Sequence, residues 1–382
     1  MSTTARARQN LVTPCLGTAR NWVDALHPTR LRGMQTISTR PLGETGMNIS
    51  TVGFGSWAVA GSGWRFGWGA TDDAESVAAI RHAVESGVNW IDTAAVYGLG
   101  HSEELVGKAV AGLPEADRPL LFTKAGLVWD PDDPQAPPRR IMKPASVRRE
   151  VEDSLRRLGV ERIDLYQVHW PDTGESLEYA GDGSGAVSPN ATPLEEYWQV
   201  MADLKAEGKV RAIGLSNHPP ALLDAAEKVA HVDAIQPPFS AVNRSAAAEI
   251  AWARDHGTGV IVYSPLQSGL LTGAFTAERA AALPPDDWRA AHTDFTTGLE
   301  ANLRLAGALR PVAARHGATV AEVAIAWVLA WPGVTGAIVG ARRAAQVDGW
   351  MGAGAVELTP ADLNEIAAAI TDSGAGTGPA RP

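Results

Sequence analysis

The sequence predicts an α/β protein folded as a closed barrel of eight parallel strands, the (β/α)8 or TIM-barrel architecture. Eight apolar or β-branched runs of strand length recur along the chain, and amphipathic helical segments separate most of them, as a parallel sheet requires. The count of eight favours closure into a barrel. The runs cover residues 51–57, 88–92, 119–124, 163–169, 210–216, 232–236, 260–264 and 335–340.

An open, doubly wound sheet is the competing fold, and the segment after the first strand argues against it. Such sheets usually carry a G-x-G-x-x-G turn that leads from the first strand into a helix. The first run here contains Gly53-Phe-Gly55-Ser-Trp-Ala, which lacks the third glycine and the helix. The closed barrel is therefore the preferred prediction.

Local signals justify the other elements in chain order. Residues 40–49 predict an N-terminal β-hairpin, with Gly43 and Gly46 around its turn. Thr319 and Glu322 form a capping box at the start of a helix over 321–330, and Pro360 opens the last helix. Further helices are predicted over 72–86, 146–158, 194–207, 221–231 and 246–256.

Three connections are too long for simple turns: residues 126–143, 170–193 and 267–303. Loops that follow barrel strands lie on the C-terminal face of the barrel, where binding and catalytic residues concentrate. We therefore expect long loops to surround any site at that face.

Composition narrows the class of protein. The chain has 382 residues, a formal charge of −10 and 45% hydrophobic residues, enough for a sizeable core. Its acidic balance argues against a nucleic-acid or anionic-membrane partner. Cys15 is the only cysteine, and no apolar run approaches the ~18 residues of a membrane span. These features predict a cytoplasmic protein without disulfides.

The chain ends differ in composition from the barrel region. Residues 1–33 carry several arginines and no secretory apolar core, so we expect a disordered extension, or translation starting at Met34. Residues 34–372 are predicted to form a single barrel domain. Residues 373–382 are rich in glycine and proline and are predicted to be a disordered tail.

Polar side chains stand at the C-terminal ends of consecutive strands, which is the most specific observation in the sequence. A barrel brings these ends together around one mouth. Each residue alone has an ordinary structural explanation, but their recurrence predicts one shared site. In strand order they are Asp92, Lys124, His169, Ser216 with Asn217, Gln236, Tyr263 with Ser264, and Gly340 followed by Arg342 and Arg343.

Tyr97, five residues after Asp92, completes a set suited to proton transfer. A phenol has an ordinary pKa of about 10 and keeps its proton at neutral pH. We expect the Lys124 ammonium to lower that pKa and Asp92 to hold the ammonium in place. His169 can orient a carbonyl oxygen by a hydrogen bond. No metal site is predicted, because no cluster has metal-ligand spacing. The set suits carbonyl reduction with a hydride from a cofactor.

Seven stretches resemble, in order, the motif blocks of the aldo-keto reductases, and their similarity is closest to the bacterial, aldehyde-reductase-like branch. The resemblance covers residues 40–370. The blocks are WIDTAAVYGLGHSEELVGKAV, FTKAGLVW, SLRRLGVERIDLYQVHWPD, VRAIGLSNH, AIQPPFSAVNR, VIVYSPLQSGLLTG and AIVGARRAAQVDGW.

The resemblance implies roles for these residues in a reductase that uses NADPH, with NADH as the alternative cofactor. Tyr97 would be the general acid, tuned by Lys124 and Asp92, and His169 would orient the substrate. Arg342 would suit a 2′-phosphate. The implied cofactor contacts are Trp57, Ser216, Asn217, Gln236, the Tyr263 ring, the loop residues Ser264, Leu266, Ser268, Gly269 and Leu270, and, at the adenosine ribose, Gly340, Arg342 and Gln346.

The sequence departs from the family pattern after Gln346, where Gly349 and Trp350 replace the usual acid and asparagine near adenine. Five aromatic residues after strands one, three and four predict a pocket that tolerates apolar or aromatic carbonyl substrates, with loop packing as the alternative: Trp64, Phe66, Trp68, Trp129 and Trp170. Two other functions stay open, namely oxidation of an alcohol or sugar with NAD(P)⁺ and a NADPH-binding sensor or regulatory subunit with little turnover.

Overall fold

A computed structural model describes Met1 and residues 37–176, 188–284 and 287–382 of the chain. Its internal contacts divide the chain into two units, Met1–Gln35 and Thr36–Pro382, and the second unit contains the barrel. Apart from Met1, the predicted N-terminal extension lies outside the described residues.

The described residues form twelve β-strands, and eight of them close into the predicted parallel barrel. Around the barrel the order is β3, β4, β5, β8, β9, β10, β11, β12 and back to β3. In chain order the strands are β1 Thr39–Pro41, β2 Asn48–Ser50, β3 Val52–Gly55, β4 Trp90–Asp92, β5 Leu120–Ala125, β6 Leu127–Val128, β7 Arg139–Arg140, β8 Ile163–Val168, β9 Val210–Ser216, β10 Ala234–Gln236, β11 Gly259–Val262 and β12 Gly336–Gly340.

Helices cover the outside of the barrel, and further helices lie in its loops. They are α1 Asp73–Glu85, α2 His101–Val110, α3 Pro144–Leu158, α4 Leu194–Ala206, α5 Pro220–Glu227, α6 Ala247–Asp255, α7 Ala277–Ala281, α8 Leu299–Ala308, α9 Arg310–His316, α10 Val320–Leu329, α11 Ala344–Asp348 and α12 Pro360–Ser373. Short 3-10 turns at Trp57–Val59, Tyr97–Gly100 and Gln267–Thr272 carry predicted site residues.

The predicted hairpin caps the N-terminal end of the barrel. β1 and β2 pair antiparallel, and the fully buried Leu42 and Ile49 pack with Trp90, Phe122 and other interior side chains. Apolar packing therefore fills this end, which leaves the polar residues of the barrel interior at the opposite end. Burial of such large side chains contributes roughly 1.5–3 kcal/mol each.

Helix caps follow the signals read from the sequence. The Thr319 hydroxyl accepts from the Glu322 amide at 3.0 Å, and the Glu322 carboxylate accepts from the Thr319 amide at 2.7 Å. Thr359 and Asp362 form the same capping box at α12, with Pro360 at the first helical position. Each box satisfies backbone donors that the helix itself cannot pair.

The C-terminal tail is fixed rather than disordered, at least as far as residue 378. Arg244, only 3% exposed, donates from its guanidinium to the carbonyl oxygens of Ala375 and Gly378, and its amide donates to Thr377 at 3.0 Å. The prediction of a disordered tail rested on glycine content. It missed a distant arginine whose buried donors require acceptors.

Among the described residues, no single helix is long and apolar enough to cross a membrane. Leu299–His316 and Val320–Leu329 meet the length and composition together, but they are bent by 91° relative to one another. Every residue of α10 except Glu322 is buried in the fold, so its apolar composition reflects packing inside the protein.

Glu150 on α3 is expected to make the stability of the folded protein depend on pH. Its carboxylate accepts from the Gly126 amide at 2.9 Å and the Ser146 hydroxyl at 3.0 Å, and burial raises its pKa from 4.5 to about 7. The folded protein therefore binds this proton more tightly than the unfolded chain. Its stabilising effect is complete below about pH 4.5 and is lost as pH rises through about 7, a change of about 3 kcal/mol.

The matching experiment compares thermal unfolding of the wild type and Glu150→Gln across this pH range. Glutamine keeps the acceptor for Gly126 but cannot ionise, so we expect the variant to lose less stability on going from acid to neutral pH. All other titrating groups are shared, so the difference between the two profiles isolates Glu150. Parallel profiles would contradict the prediction.

Candidate active site

The C-terminal ends of β4, β5 and β8 bring Asp92, Lys124 and His169 to the mouth of the barrel. Asp92 ends β4, Lys124 precedes the last residue of β5, and His169 follows β8. All three are buried, at 3%, 1% and 9% exposure. Parallel pairing of adjacent strands aligns these ends, as the sequence predicts.

The Lys124 ammonium uses all three of its hydrogens on named acceptors. It donates to Asp92 Oδ2 at 2.6 Å, to the Thr93 carbonyl at 2.8 Å and to the Tyr97 hydroxyl oxygen at 3.3 Å. A neutral amine would have only two hydrogens for three acceptors. A charged lysine has one hydrogen for each of the three acceptors, and one of them faces the phenol oxygen.

A tight turn presents Tyr97 beside Lys124. Gly98, Leu99 and Gly100 all have positive φ, at 59°, 55° and 104°. A Cβ at Gly98 would also overlap the Ala60 carbonyl oxygen, so the position requires glycine. The Tyr97 ring then stacks on Trp57, with centroids 6.0 Å apart, and meets the edge of His169 at 5.6 Å.

Burial sets the direction of the pKa shifts in this set. Desolvation, and then the negative charge of Asp92, raise the pKa of Tyr97 well above 10. Desolvation, and then the Lys124 charge, lower the pKa of His169 well below 6.5, which keeps the imidazole neutral. The expectation that the ammonium lowers the phenol pKa is wrong for this structure, because burial and Asp92 dominate. The phenol holds its proton firmly.

A second buried ion pair lies behind Lys124. Glu103 on α2, fully buried, accepts from Thr123 Oγ1 and from Arg157 Nε, each at 2.6 Å. Burial lowers the pKa of Lys124, whereas Asp92 and the more distant Glu103 raise it. The sequence does not show this role for Glu103. Its burial and pairing depend on Arg157, which lies on another helix.

Two glutamines hold the other oxygen of Asp92. Gln236 Nε2 donates to Asp92 Oδ1 at 2.7 Å, and Gln167 Nε2 lies 3.4 Å from the same oxygen. Gln167 was not among the predicted site residues. A polar residue inside the apolar run of β8 was the available signal, but the run alone does not show which face lies inside the barrel.

The residues predicted to bind the nicotinamide lie together beside this set. Tyr263 OH donates to Asn217 Oδ1 at 2.8 Å, and Asn217 Nδ2 donates to the His169 carbonyl at 2.9 Å and to Ser216 Oγ at 3.0 Å. Ser216 Oγ in turn donates to the Gln236 carbonyl at 2.8 Å. The shell is polar and continuous with the proposed catalytic residues, with Ser216 and Gln236 buried and Asn217 and Tyr263 partly exposed, which fits a carboxamide-bearing ring.

His218 supports this shell without joining it. Its Nδ1 lies 2.7 Å from the Ser216 carbonyl, which can only accept, so Nδ1 carries the proton and Nε2 accepts from Tyr197 OH at 3.1 Å. Burial lowers the pKa of His218 to about 4. The residue is thus a neutral histidine that fixes the backbone at Ser216. No three-residue His, Cys, Asp or Glu metal site is found in the described ranges.

The loop predicted to run along the pyrophosphate has an unusual backbone. Ser264, Gln267 and Ser268 have positive φ, at 57°, 45° and 51°. Such values mark a tightly turned backbone, and turns of this kind can direct backbone N–H groups toward an anion. The Leu270 side chain is fully buried against Phe275 and Phe295, and Leu266 packs on the main core. Leu270 as a whole is therefore buried, and its side chain is not available to a ligand.

At the predicted ribose end, Gln346 and Arg342 are engaged within the protein. Gln346 Oε1 accepts from the Arg342 amide at 2.7 Å, and the Arg342 guanidinium donates to the carbonyls of Ala58 and Trp68. Arg343 pairs with Glu75 on the surface. Trp350 is only 3% exposed and belongs to the core, and Gly349 caps α11.

The predicted pocket aromatics divide into two groups. Trp64, Phe66 and Trp170 are buried in one cluster with Trp57 and Tyr97, and Trp129 packs against it. Trp68 instead lies on the predicted ribose side. Its ring centroid is 5.8 Å from that of Trp57 and 5.9 Å from the Arg342 guanidinium carbon. A cavity of about 220 Å³ next to this cluster is lined by Trp170, Asn217, Pro219, Pro238, Glu249 and Tyr263, among others.

Comparison with known proteins agrees with this geometry. The profile of the Aldo/keto reductase family matches residues 51–371. The chain is 35% identical over 310 residues to Aldo-keto reductase YhdN of Bacillus subtilis (strain 168), covering 80% of this chain and 86% of that protein. It is 33% identical over 344 residues to the NADH-specific methylglyoxal reductase of Escherichia coli (strain K12), covering 86% and 98%.

A solved structure shows the same relationship. The glycerol dehydrogenase AKR11B4 from Gluconobacter oxydans superposes with a TM-score of 0.76 at 34% identity, covering 91% of this chain and 98% of that one. The family match over residues 51–371 includes all eight strands of the closed barrel. The chain belongs to the aldo/keto reductase family of oxidoreductases.

Proposed function

We propose that the protein reduces an aldehyde or ketone to an alcohol with NADPH, and that Tyr97 donates the proton. One observation carries the proposal: the Lys124 ammonium donates to both Asp92 and the Tyr97 oxygen in a buried site. The phenol hydrogen has no acceptor among the described side chains, so it is available to a substrate oxygen. The proposal extends to a single domain over residues 34–372 and to a cytoplasmic location.

The residues around Tyr97 would serve the reaction in three ways. Tyr97 gives its proton to the carbonyl oxygen and becomes a phenolate, which the Lys124 ammonium stabilises by its 3.3 Å contact. His169, neutral and without a hydrogen bond from its ring to the described residues, orients that oxygen. Asp92 keeps Lys124 charged. A bound reduced nicotinamide supplies the hydride to the carbonyl carbon, so that hydride and proton together complete the alcohol.

Ser216, Asn217, Gln236 and Tyr263 would hold the nicotinamide ring. Trp57 and the loop from Ser264 to Leu270 would hold the rest of the cofactor with Gly340, Arg342 and Gln346.

The aromatic residues around Tyr97 favour substrates with apolar or aromatic groups. A panel of carbonyl compounds, followed by nicotinamide absorbance with NADPH and with NADH, tests the function. Tight NADPH binding without turnover would favour a sensor, and turnover of only small polar aldehydes would contradict the aromatic pocket.

Similarity to a glycerol dehydrogenase favours a second candidate, oxidation of an alcohol in the reverse direction. The same residues serve both directions, because Tyr97 as phenolate can take back the proton that it donates. Initial rates in each direction, with a matched carbonyl and alcohol pair at physiological cofactor ratios, distinguish the two candidates.

Arg342 carries the proposed preference for NADPH over NADH. Its guanidinium has no carboxylate within the ion-pair distance among the described residues. Burial is the main cause that lowers the pKa of Arg342, and the positive charges of Arg289 and Arg343 lower it further. We expect Arg342→Gln to weaken NADPH binding about 10- to 100-fold, as loss of a charge-assisted hydrogen bond predicts. NADH binding should change little.

The matched control is Arg343→Gln, because Arg343 is exposed and paired with Glu75. Dissociation constants for both cofactors, measured by quenching of tryptophan fluorescence, give the comparison. Equal losses for NADPH and NADH in Arg342→Gln would instead assign Arg342 to holding the Trp68 loop. A wild type that prefers NADH, as the name of the Escherichia coli relative states for that protein, would contradict the NADPH proposal.

A further inference from the structure

The amide of Gln236 is fixed in one orientation by its neighbours. Its Nε2 donates to Asp92 Oδ1 at 2.7 Å and to Gln167 Oε1 at 3.2 Å, which uses both of its hydrogens. An ionised carboxylate can only accept, so the Gln236 atom that faces Asp92 must be the nitrogen. The Oε1 atom is therefore turned away from Asp92, and no donor among the described residues reaches it.

Gln167 reaches this amide because β9 carries a glycine between them. Gln167 pairs in register with Lys124 on β5 and with Gly214 on β9, and Gly214 pairs with Ala234 on β10. A Cβ at Gly214 would lie 3.1 Å from Gln167 Cγ and 2.8 Å from the Ala234 carbonyl oxygen. Glycine thus leaves room for the fully buried Gln167 side chain to cross β9 and accept from Gln236.

We propose that Gln167 is a positioning residue that fixes the Gln236 amide so that Oε1 faces the carboxamide nitrogen of the nicotinamide. The inference rests on the proposed function, because it requires a nicotinamide beside Gln236. An acceptor at this place recognises the NH₂ group of the carboxamide and rejects a ring that carries no such donor. The carboxylate that holds Lys124 therefore also sets the selectivity of cofactor binding.

The alternative is that Gln167 only fills the barrel. A packing role would make its amide replaceable by any side chain of similar volume, whereas the positioning role requires an acceptor for the second hydrogen of Gln236 Nε2. Without that acceptor, the second hydrogen is buried and unpaired, and the amide is held by its Asp92 contact alone, about which its plane can twist. Twisting would move Oε1 out of line with the carboxamide nitrogen and weaken the acceptor.

The test compares binding of NADPH with binding of its 3-acetylpyridine analogue, in which a methyl group replaces the carboxamide NH₂. Dissociation constants come from tryptophan fluorescence or calorimetry, so no turnover is needed. We expect the wild type to prefer NADPH by about 5- to 100-fold, the range expected for a buried acceptor left unpaired. Gln167→Met and Gln167→Leu, which remove the amide with different shapes, should each lower this preference at least about 5-fold.

Leu165→Ala is the matched control. Leu165 is buried in the barrel interior on the same strand, two residues before Gln167, and its truncation loosens packing without touching the amides. Its NADPH preference should remain that of the wild type. An unchanged preference in both Gln167 variants, or an equal loss in Leu165→Ala, would overturn the inference. A wild type that binds neither dinucleotide would overturn the proposed function itself, and a wild type that binds both equally would overturn only the role of Gln167.

Discussion

Tyr97→Phe is expected to lower the kcat of carbonyl reduction by about 10²- to 10⁴-fold, the contribution typical of a positioned general acid. Phenylalanine keeps the ring that stacks on Trp57 and meets His169, so the pocket retains its shape. It removes only the hydroxyl that receives the Lys124 hydrogen bond. The dissociation constant of NADPH should therefore stay close to the wild-type value while turnover is lost.

Tyr166→Phe provides the matched control for this substitution. Tyr166 is also fully buried, on β8, and its hydroxyl has no hydrogen-bond partner in the part of the chain that the structure describes. The change removes the same atom outside the proposed site, so we expect wild-type kcat. Wild-type turnover by Tyr97→Phe would show that another group, or water, supplies the proton.

The fold and the proposed catalytic residues were accessible from the sequence because both follow from short-range patterns. Most barrel strands are apolar runs with a polar residue at or just after their end, and parallel pairing then aligns the strand ends without further information. Asp92, Lys124 and His169 follow this rule directly, because each stands at or beside the end of its strand. The antiparallel N-terminal hairpin and the capping box at Thr319 are equally local, and both are confirmed.

Features that depend on distant parts of the chain could not be predicted in this way. The direction of the Tyr97 pKa shift depends on its degree of burial, to which Trp57 and Trp64 contribute from another loop. Trp68 could not be assigned to the ribose side until its contact with Arg342 was known. The tail required Arg244, more than a hundred residues earlier, as its partner.

Gln167 illustrates the limit most directly. Interior strands of a parallel barrel are apolar on both faces, so alternation does not reveal which residues point inward. Its function depends on Gly214 leaving space and on Gln236 offering a hydrogen, and both lie on other strands. A glutamine within a largely apolar strand is therefore a useful signal, but its partners emerge only from the register of the barrel.

Lys124→Met is expected to abolish most of the activity and to destabilise the protein by about 3–5 kcal/mol, the usual effect of breaking a buried ion pair. Asp92 is 3% exposed, and among the described residues the substitution leaves its carboxylate with only the two glutamine amides as partners. Activity falls because the phenolate form of Tyr97 loses the nearby positive charge that stabilises it. Urea unfolding gives the stability, and kcat with a good carbonyl substrate gives the activity.

The double variant Asp92→Asn/Lys124→Met separates the two effects. Asparagine keeps an oxygen that accepts from Gln236 but removes the buried charge, so we expect the double variant to regain most of the stability that Lys124→Met loses. Its kcat should stay as low as that of Lys124→Met, because no ammonium faces Tyr97. Recovered stability with lost activity would place the catalytic contribution on the positive charge at Lys124 Nζ. Additive losses of stability in the two single variants and the double variant would contradict a mutually dependent pair.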